Sequence, residues 1–132
     1  MFAYFCVAVG GALGSVSRFW LSGFVAERYG TVFPWGTLLI NVTGSLVIGL
    51  FAALNEPEGH FGASPAVRQF FMIGICGGYT TFSAFSLETL RQVQSGNWLY
   101  AGSYVLFSVM LCLFAVWLGY VLGSLLNSMK GN

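Results

Sequence analysis

Between Gly77 and Glu88 the chain reads Gly-Gly-Tyr-Thr-Thr-Phe-Ser-Ala-Phe-Ser-Leu-Glu, its densest run of chemically informative residues. Thr80, Thr81, Ser83 and Ser86 bring more hydroxyl donors than a lipid-facing helix needs. Phe82 and Phe85 stand three positions apart, which sets both rings on nearly one helix face. That spacing is common in packed cores, and the hydroxyl neighbours turn the reading toward an anion path. An aromatic ring has a positive edge, so a phenyl edge can face an anion without gripping it. Asn41 lies in a separate apolar run and adds an amide with two protons to donate. Further hydroxyls come from Ser108 and, four positions before it, Tyr104.

The backbone around Gly77 invites a second kind of chemistry. Gly74 and then Cys76-Gly77-Gly78-Tyr79-Thr80-Thr81 put weak helix formers in the middle of an apolar stretch. Two readings stand side by side. The glycines either let another helix approach closely, or the helix breaks near Gly77 to Thr80 and frees carbonyls for a cation. In lipid an unpaired backbone group costs several kcal/mol. Broken helices near mid-depth are a recurrent way to build ion sites.

These residues need a scaffold, and composition identifies its solvent. Of 132 residues, 57% are hydrophobic and 7% charged, against roughly 25% charged in a soluble domain. A bilayer core of about 30 Å needs roughly 20 apolar residues per helical span. The expected fold is therefore all-α, one domain over 1–132, with four transmembrane helices near 3–24, 35–54, 66–93 and 98–126. Gly10 and Gly14 form a close-approach step in the first span. Pro34 and Trp35 suit a helix start and the membrane interface. The polar stretch Asn55 to His60 reads as a loop with His60 solvated, and the tail from Asn127 as a polar end.

Other classes fall away. A net charge of +1 leaves no basic stripe for nucleic acid. Cys6, Cys76 and Cys112 are odd in number, lack C-x-x-C spacing and read as small core residues. The N-terminus lacks the basic stretch of a signal peptide. Arg68 and Lys130 fall on one side of the membrane, Arg28 and Arg91 on the other, and Arg18 leans toward the second group. So balanced a chain gives the positive-inside rule little to act on, and an antiparallel pair of subunits follows as an expectation.

The run from Gly77 to Glu88 closely resembles the signature of the CrcB/Fluc family of fluoride channels. Gly11 to Arg18 and Trp35 to Gly44 match in the same order, so the resemblance spans nearly the whole chain. It implies a dual-topology homodimer in the bacterial cytoplasmic (inner) membrane, with two antiparallel pores lined by both subunits. It also implies a central structural Na+ held by the backbone carbonyls of Gly77 and Thr80. Phe82 and Phe85 would form the aromatic part of the fluoride path, with Asn41 beside them. Thr81, Ser83, Tyr104 and Ser108 would add donors, Arg18 would sit near a pore mouth, and Glu88 would match the acidic residue after the motif. Glu88 is open to a vestibule or a structural role. Ala84, Cys112 and Val116 depart from the family's usual hydroxyls.

Three rivals carry less. A small four-helix multidrug transporter needs a carboxylate to trade protons, yet the first span is free of acidic residues and Glu88 sits in an anion-suited motif. A non-transporting assembly subunit would gain nothing from a polar broken helix. An enzyme lacks a nucleophile–base pair, its single histidine lying in a loop. The resulting expectation is passive fluoride efflux, driven by a membrane potential worth about 2.3 kcal/mol per charge per 100 mV.

Overall fold

The computed structural model describes residues 1–56 and 62–130, and the side chain of Lys130 is outside that description, as is the His60 loop position. Among the described residues the secondary structure is entirely helical. Helix α1 spans Phe2–Tyr29 and α2 spans Trp35–Leu54. The third crossing is composite: α3, Pro65–Arg68, runs into a π-helical stretch, Gln69–Cys76, and then into α4, Gly77–Tyr79, and α5, Phe82–Gln94. Helix α6 runs from Trp98 to Lys130. Four helical stretches, Phe2–Tyr29, Trp35–Leu54, Pro65–Gln94 and Trp98–Met129, are long and apolar enough to cross a bilayer. Phe19, Leu99, Met110 and Leu113 lie exposed on the outside, as befits an integral membrane protein.

Local chemistry sets the helix ends. Gly30 takes a positive φ of 75° and returns its N–H to Ala26 O at 2.9 Å, closing α1 beyond the expected end of the first span near residue 24. Ser64 caps α3, its hydroxyl accepting from Val67 N, with Pro65 at the first helical position. Gly96, φ 77°, turns the chain between α5 and α6. Beyond Leu126, where a polar tail was expected, α6 continues to Lys130, and Asn127 Nδ2 donates to Ala53 O at 2.9 Å.

Glycines fix the packing. A side chain on Gly10 or Gly14 would strike the backbone at Phe70 or Ile75, and one on Gly78 would meet Gly11 O at 2.6 Å. Helix α1 and the third crossing thus run parallel, backbone against backbone. Gly119 lies on Leu46 and Leu50, and Gly123 on Leu50 and Ala53, so α2 and α6 are also parallel. The two pairs run opposite to each other. Small residues at such contacts replace the missing hydrophobic drive between helices in lipid.

The interruption in the third crossing is two residues long. Thr80 (φ −76°, ψ 156°) and Thr81 (φ −150°, ψ 113°) are extended. The sequence expectation began it at Gly77, but Gly77–Tyr79 stay helical. Gly78 is needed for contact with α1, and that contact holds the helix together up to Tyr79.

Candidate functional site

The two extended threonines are held from α2. Thr81 N–H donates to Asn41 Oδ1 at 2.8 Å, and Asn41 Nδ2 donates to Thr81 O at 3.1 Å. Asn41 thereby does for one residue what a neighbouring strand would do, and satisfies backbone groups that lipid would leave unpaired. One of its two amide protons is used, and the other stays available. Thr81 Oγ1 accepts from Ala84 N at 3.2 Å, capping α5, and lies 3.3 Å from Ser83 Oγ. Thr80 Oγ1 and Ser86 Oγ turn back to Cys76 O and Phe82 O, so both of their protons are spent within the chain.

The interruption also changes a carbonyl. In a continuous helix Thr81 N–H would close on Gly77 O, but here it goes to Asn41. Gly77 loses that partner at an exposed position on the subunit surface.

Beside this point lies a cleft of about 350 Å³. Helix α2 lines it with Asn41 and Ser45, the third crossing with Gly77, Thr80, Thr81, Phe82 and Phe85, and α6 with Ser108 and Cys112. Its lining residues include no acidic side chain. The two phenylalanines differ: Phe82 is 78% exposed and Phe85 only 8%, their ring centroids 5.3 Å apart. Ser108 is buried, and its hydroxyl has no partner among the described residues. An unpaired buried hydroxyl in a cleft wall is the usual mark of a missing ligand or water.

Behind Phe85 the wall is a polar plug. Tyr104 is fully buried, 5.1 Å from Phe85 and edge-on to Phe33 at 5.5 Å. Its phenol donates to Glu88 Oε2 at 2.8 Å, while Thr37 Oγ1 donates to Glu88 Oε1, also at 2.8 Å. Each carboxylate oxygen thus has its own donor. Glu88 and Thr37 also line a second, more polar cleft of about 400 Å³, with Arg91 and Gln92.

The structure therefore gathers Asn41, Thr81, Phe82, Phe85, Ser108, Gly77 and Thr80 around one cleft. Ser83 is exposed beside it, and Tyr104 stands behind it. Arg18 is half-buried on α1 and lines neither cleft. Sequence reading missed Thr37, although it lies one turn before Asn41 on the same face of α2. It also missed the pairing of Thr43 Oγ1 with Tyr79 OH at 2.9 Å, which ties α2 to the last turn before the interruption.

The chain is also similar to known proteins over nearly its whole length. Residues 5–120 match the family described as "CrcB-like protein, Camphor Resistance (CrcB)". A protein of Opitutus terrae named fluoride-specific ion channel FluC is 54% identical over 132 residues, covering all of both chains. A protein of the same name from Rhodospirillum rubrum is 56% identical over 124 residues, 94% of this chain and 96% of its own. One from Methylocella silvestris, named likewise, is 52% identical over 128 residues, 97% and 98% of the two chains.

Proposed function

The chain belongs to the CrcB-like protein family, and on that premise we propose that it is a fluoride-selective passive channel and not an enzyme. One observation carries the reading: the unpartnered Ser108 hydroxyl and the spare amide proton of Asn41 belong to the same carboxylate-free cleft. Fluoride is small and tightly hydrated, so a selective path must exchange its water for closely spaced donors. Ser108 and Asn41 offer such donors, and the positive edges of Phe82 and Phe85 complete the surroundings. Larger anions are refused by width and by donor spacing, both established routes to pore selectivity. Glu88 has both oxygens engaged by Thr37 and Tyr104, which holds its charge behind Tyr104.

The cleft is open on one side of the subunit, and Phe82 and Gly77 are exposed there. A second copy lying antiparallel across this face would close the path and, by symmetry, make a second one. A sodium ion suits the same place. Gly77 and Thr80 would offer it neutral carbonyl oxygens, a hard donor set for a hard cation. Two carbonyls from one subunit cover only part of a coordination sphere, so the fit requires the partner's own pair. Bound there, the ion would supply a fixed positive charge between the paths, while Asn41 keeps the backbone at Thr81 in its extended form.

The direction of transport is export through the bacterial inner membrane, since a negative-inside potential drives the anion outward. The test is fluoride efflux from liposomes holding the purified protein, read with a fluoride electrode beside a chloride control. Rapid fluoride release without chloride release is expected. Folded protein that releases no fluoride would overturn the proposal.

A further inference from the structure

Two of the three cysteines and one methionine line the same cleft as the anion donors. Met72 and Cys76 lie about one turn apart on the third crossing, and Cys112 faces them from α6. Ser45 on α2 lines the cleft with Cys112. Neither cysteine forms a disulfide. Cys76 is 3% exposed and Cys112 half-buried, and both line the cleft.

The cleft thus has two levels. Along the parallel run of α2 and α6, Asn41 and Ser108 line one level of the cleft, and Ser45 and Cys112, each four residues on, line the next. The second pair lies one turn, about 6 Å, along the helices. At the first level the donors are an amide and hydroxyls, suited to a hard anion. Beyond it the wall keeps the Ser45 hydroxyl and adds the sulfur atoms of Cys112, Cys76 and Met72, and soft thiolate and thioether ligands select soft cations.

From this juxtaposition we propose that Cys112, Cys76 and Met72 form a binding site for a thiophilic monovalent cation of the Ag(I) or Cu(I) class, and that its occupancy blocks the cleft. Binding replaces the Sγ–H proton of Cys112 by an S–metal bond and releases the proton to water. Cys76 binds in the same way, and Met72 adds its thioether lone pair. No electron is transferred. The wall at this level has no carboxylate and no imidazole, so hard and borderline divalent cations find no matching donors. The block, unlike the binding, rests on the proposed fluoride path.

The experiment takes Cys6→Ala protein as background, because Cys6 lies on α1 and does not line the cleft. Silver nitrate is added in chloride-free buffer, excess metal is removed by desalting, and retained silver per subunit is measured by elemental analysis. Fluoride efflux from liposomes is recorded on the same samples, each variant normalised to its own untreated rate. About one silver per subunit and a fall in flux of about tenfold or more are expected. Cys112→Ser and Met72→Leu on this background should each retain less silver and lose most of the block. Equal silver retention, or equal block, in all three proteins would overturn the site. Silver bound without any loss of flux would overturn the block. Untreated protein that conducts no fluoride yet binds silver in the expected pattern would count against the channel reading and leave the metal site standing.

Discussion

Asn41 holds Thr81 by both ends of its peptide, with Thr81 N–H 2.8 Å from Oδ1 and Asn41 Nδ2 3.1 Å from the Thr81 carbonyl oxygen. The side chain is thus a positioning element, with one amide proton left for the proposed fluoride path. It joins α2 to the only two extended residues between α4 and α5, and it spends half its amide protons doing so.

Substitution at Asn41 should separate these roles. Asn41→Leu strands two backbone groups, each costing about 1–3 kcal/mol when buried, and thermal unfolding in detergent should fall accordingly. Asn41→Asp keeps the acceptor for Thr81 N–H and adds a negative charge to the cleft. Its fluoride flux should drop by about tenfold or more while its unfolding temperature falls less than that of Asn41→Leu. Equal stability and flux in all three proteins would remove the role assigned to the contact.

The polar plug gives a second prediction. Thr37 and Tyr104 donate to different oxygens of Glu88. Thr37→Val and Tyr104→Phe should each cost about 1–3 kcal/mol by leaving one oxygen without its donor. Glu88→Gln replaces one of the two acceptor oxygens by an NH2 donor, so the hydroxyl facing that NH2 must turn from donor to acceptor. Unfolding of the three variants in detergent measures this: Glu88→Gln should lose less stability than Thr37→Val or Tyr104→Phe, and a loss as large would mean that the reversed bond does not form.

How much of this was legible beforehand depended on the kind of residue. The crossings were plain in the apolar runs, because a bilayer's thickness imposes its length on any helix that spans it. The wall of the cleft was partly plain, because hydroxyls and paired phenylalanines are unusual company in an apolar stretch. Registers were not. Thr37 looks like any threonine near a helix start until the third crossing brings Glu88 beside it. Gly77 and Gly78 have one composition for two outcomes, and the proximity of Gly11 decides that the helix persists through them. Nothing local marks Gln69–Cys76 as π-helical, although π-turns recur at functional sites.

Phe82 and Phe85 share a motif but not an environment, so they should respond differently. Phe85 is buried against Tyr104, and Phe85→Ala should cost about 3–5 kcal/mol of subunit stability. Phe82 is largely exposed in the subunit, and Phe82→Ala should leave subunit unfolding within about 1 kcal/mol of the parent. Both should change fluoride flux. A loss of stability at Phe82 as large as that at Phe85 would show that the ring is packed more deeply than its exposure indicates.

The close contacts between parallel helices give the sharpest contrast in stability. A Cβ on Gly49 would be driven into the backbone of Val116, which cannot move without parting α2 from α6. Gly102, near the start of α6, has open space where a Cβ would stand. Gly49→Ala should therefore yield protein that aggregates or unfolds at lower temperature. Gly102→Ala should be neutral or gain up to about 1 kcal/mol, since alanine favours the helix by that amount. Size-exclusion profiles and thermal unfolding in one detergent test both. If the two variants behave alike, helix propensity and not contact governs these glycines, and the parallel packing of α2 on α6 would need a looser interface than the structure contains.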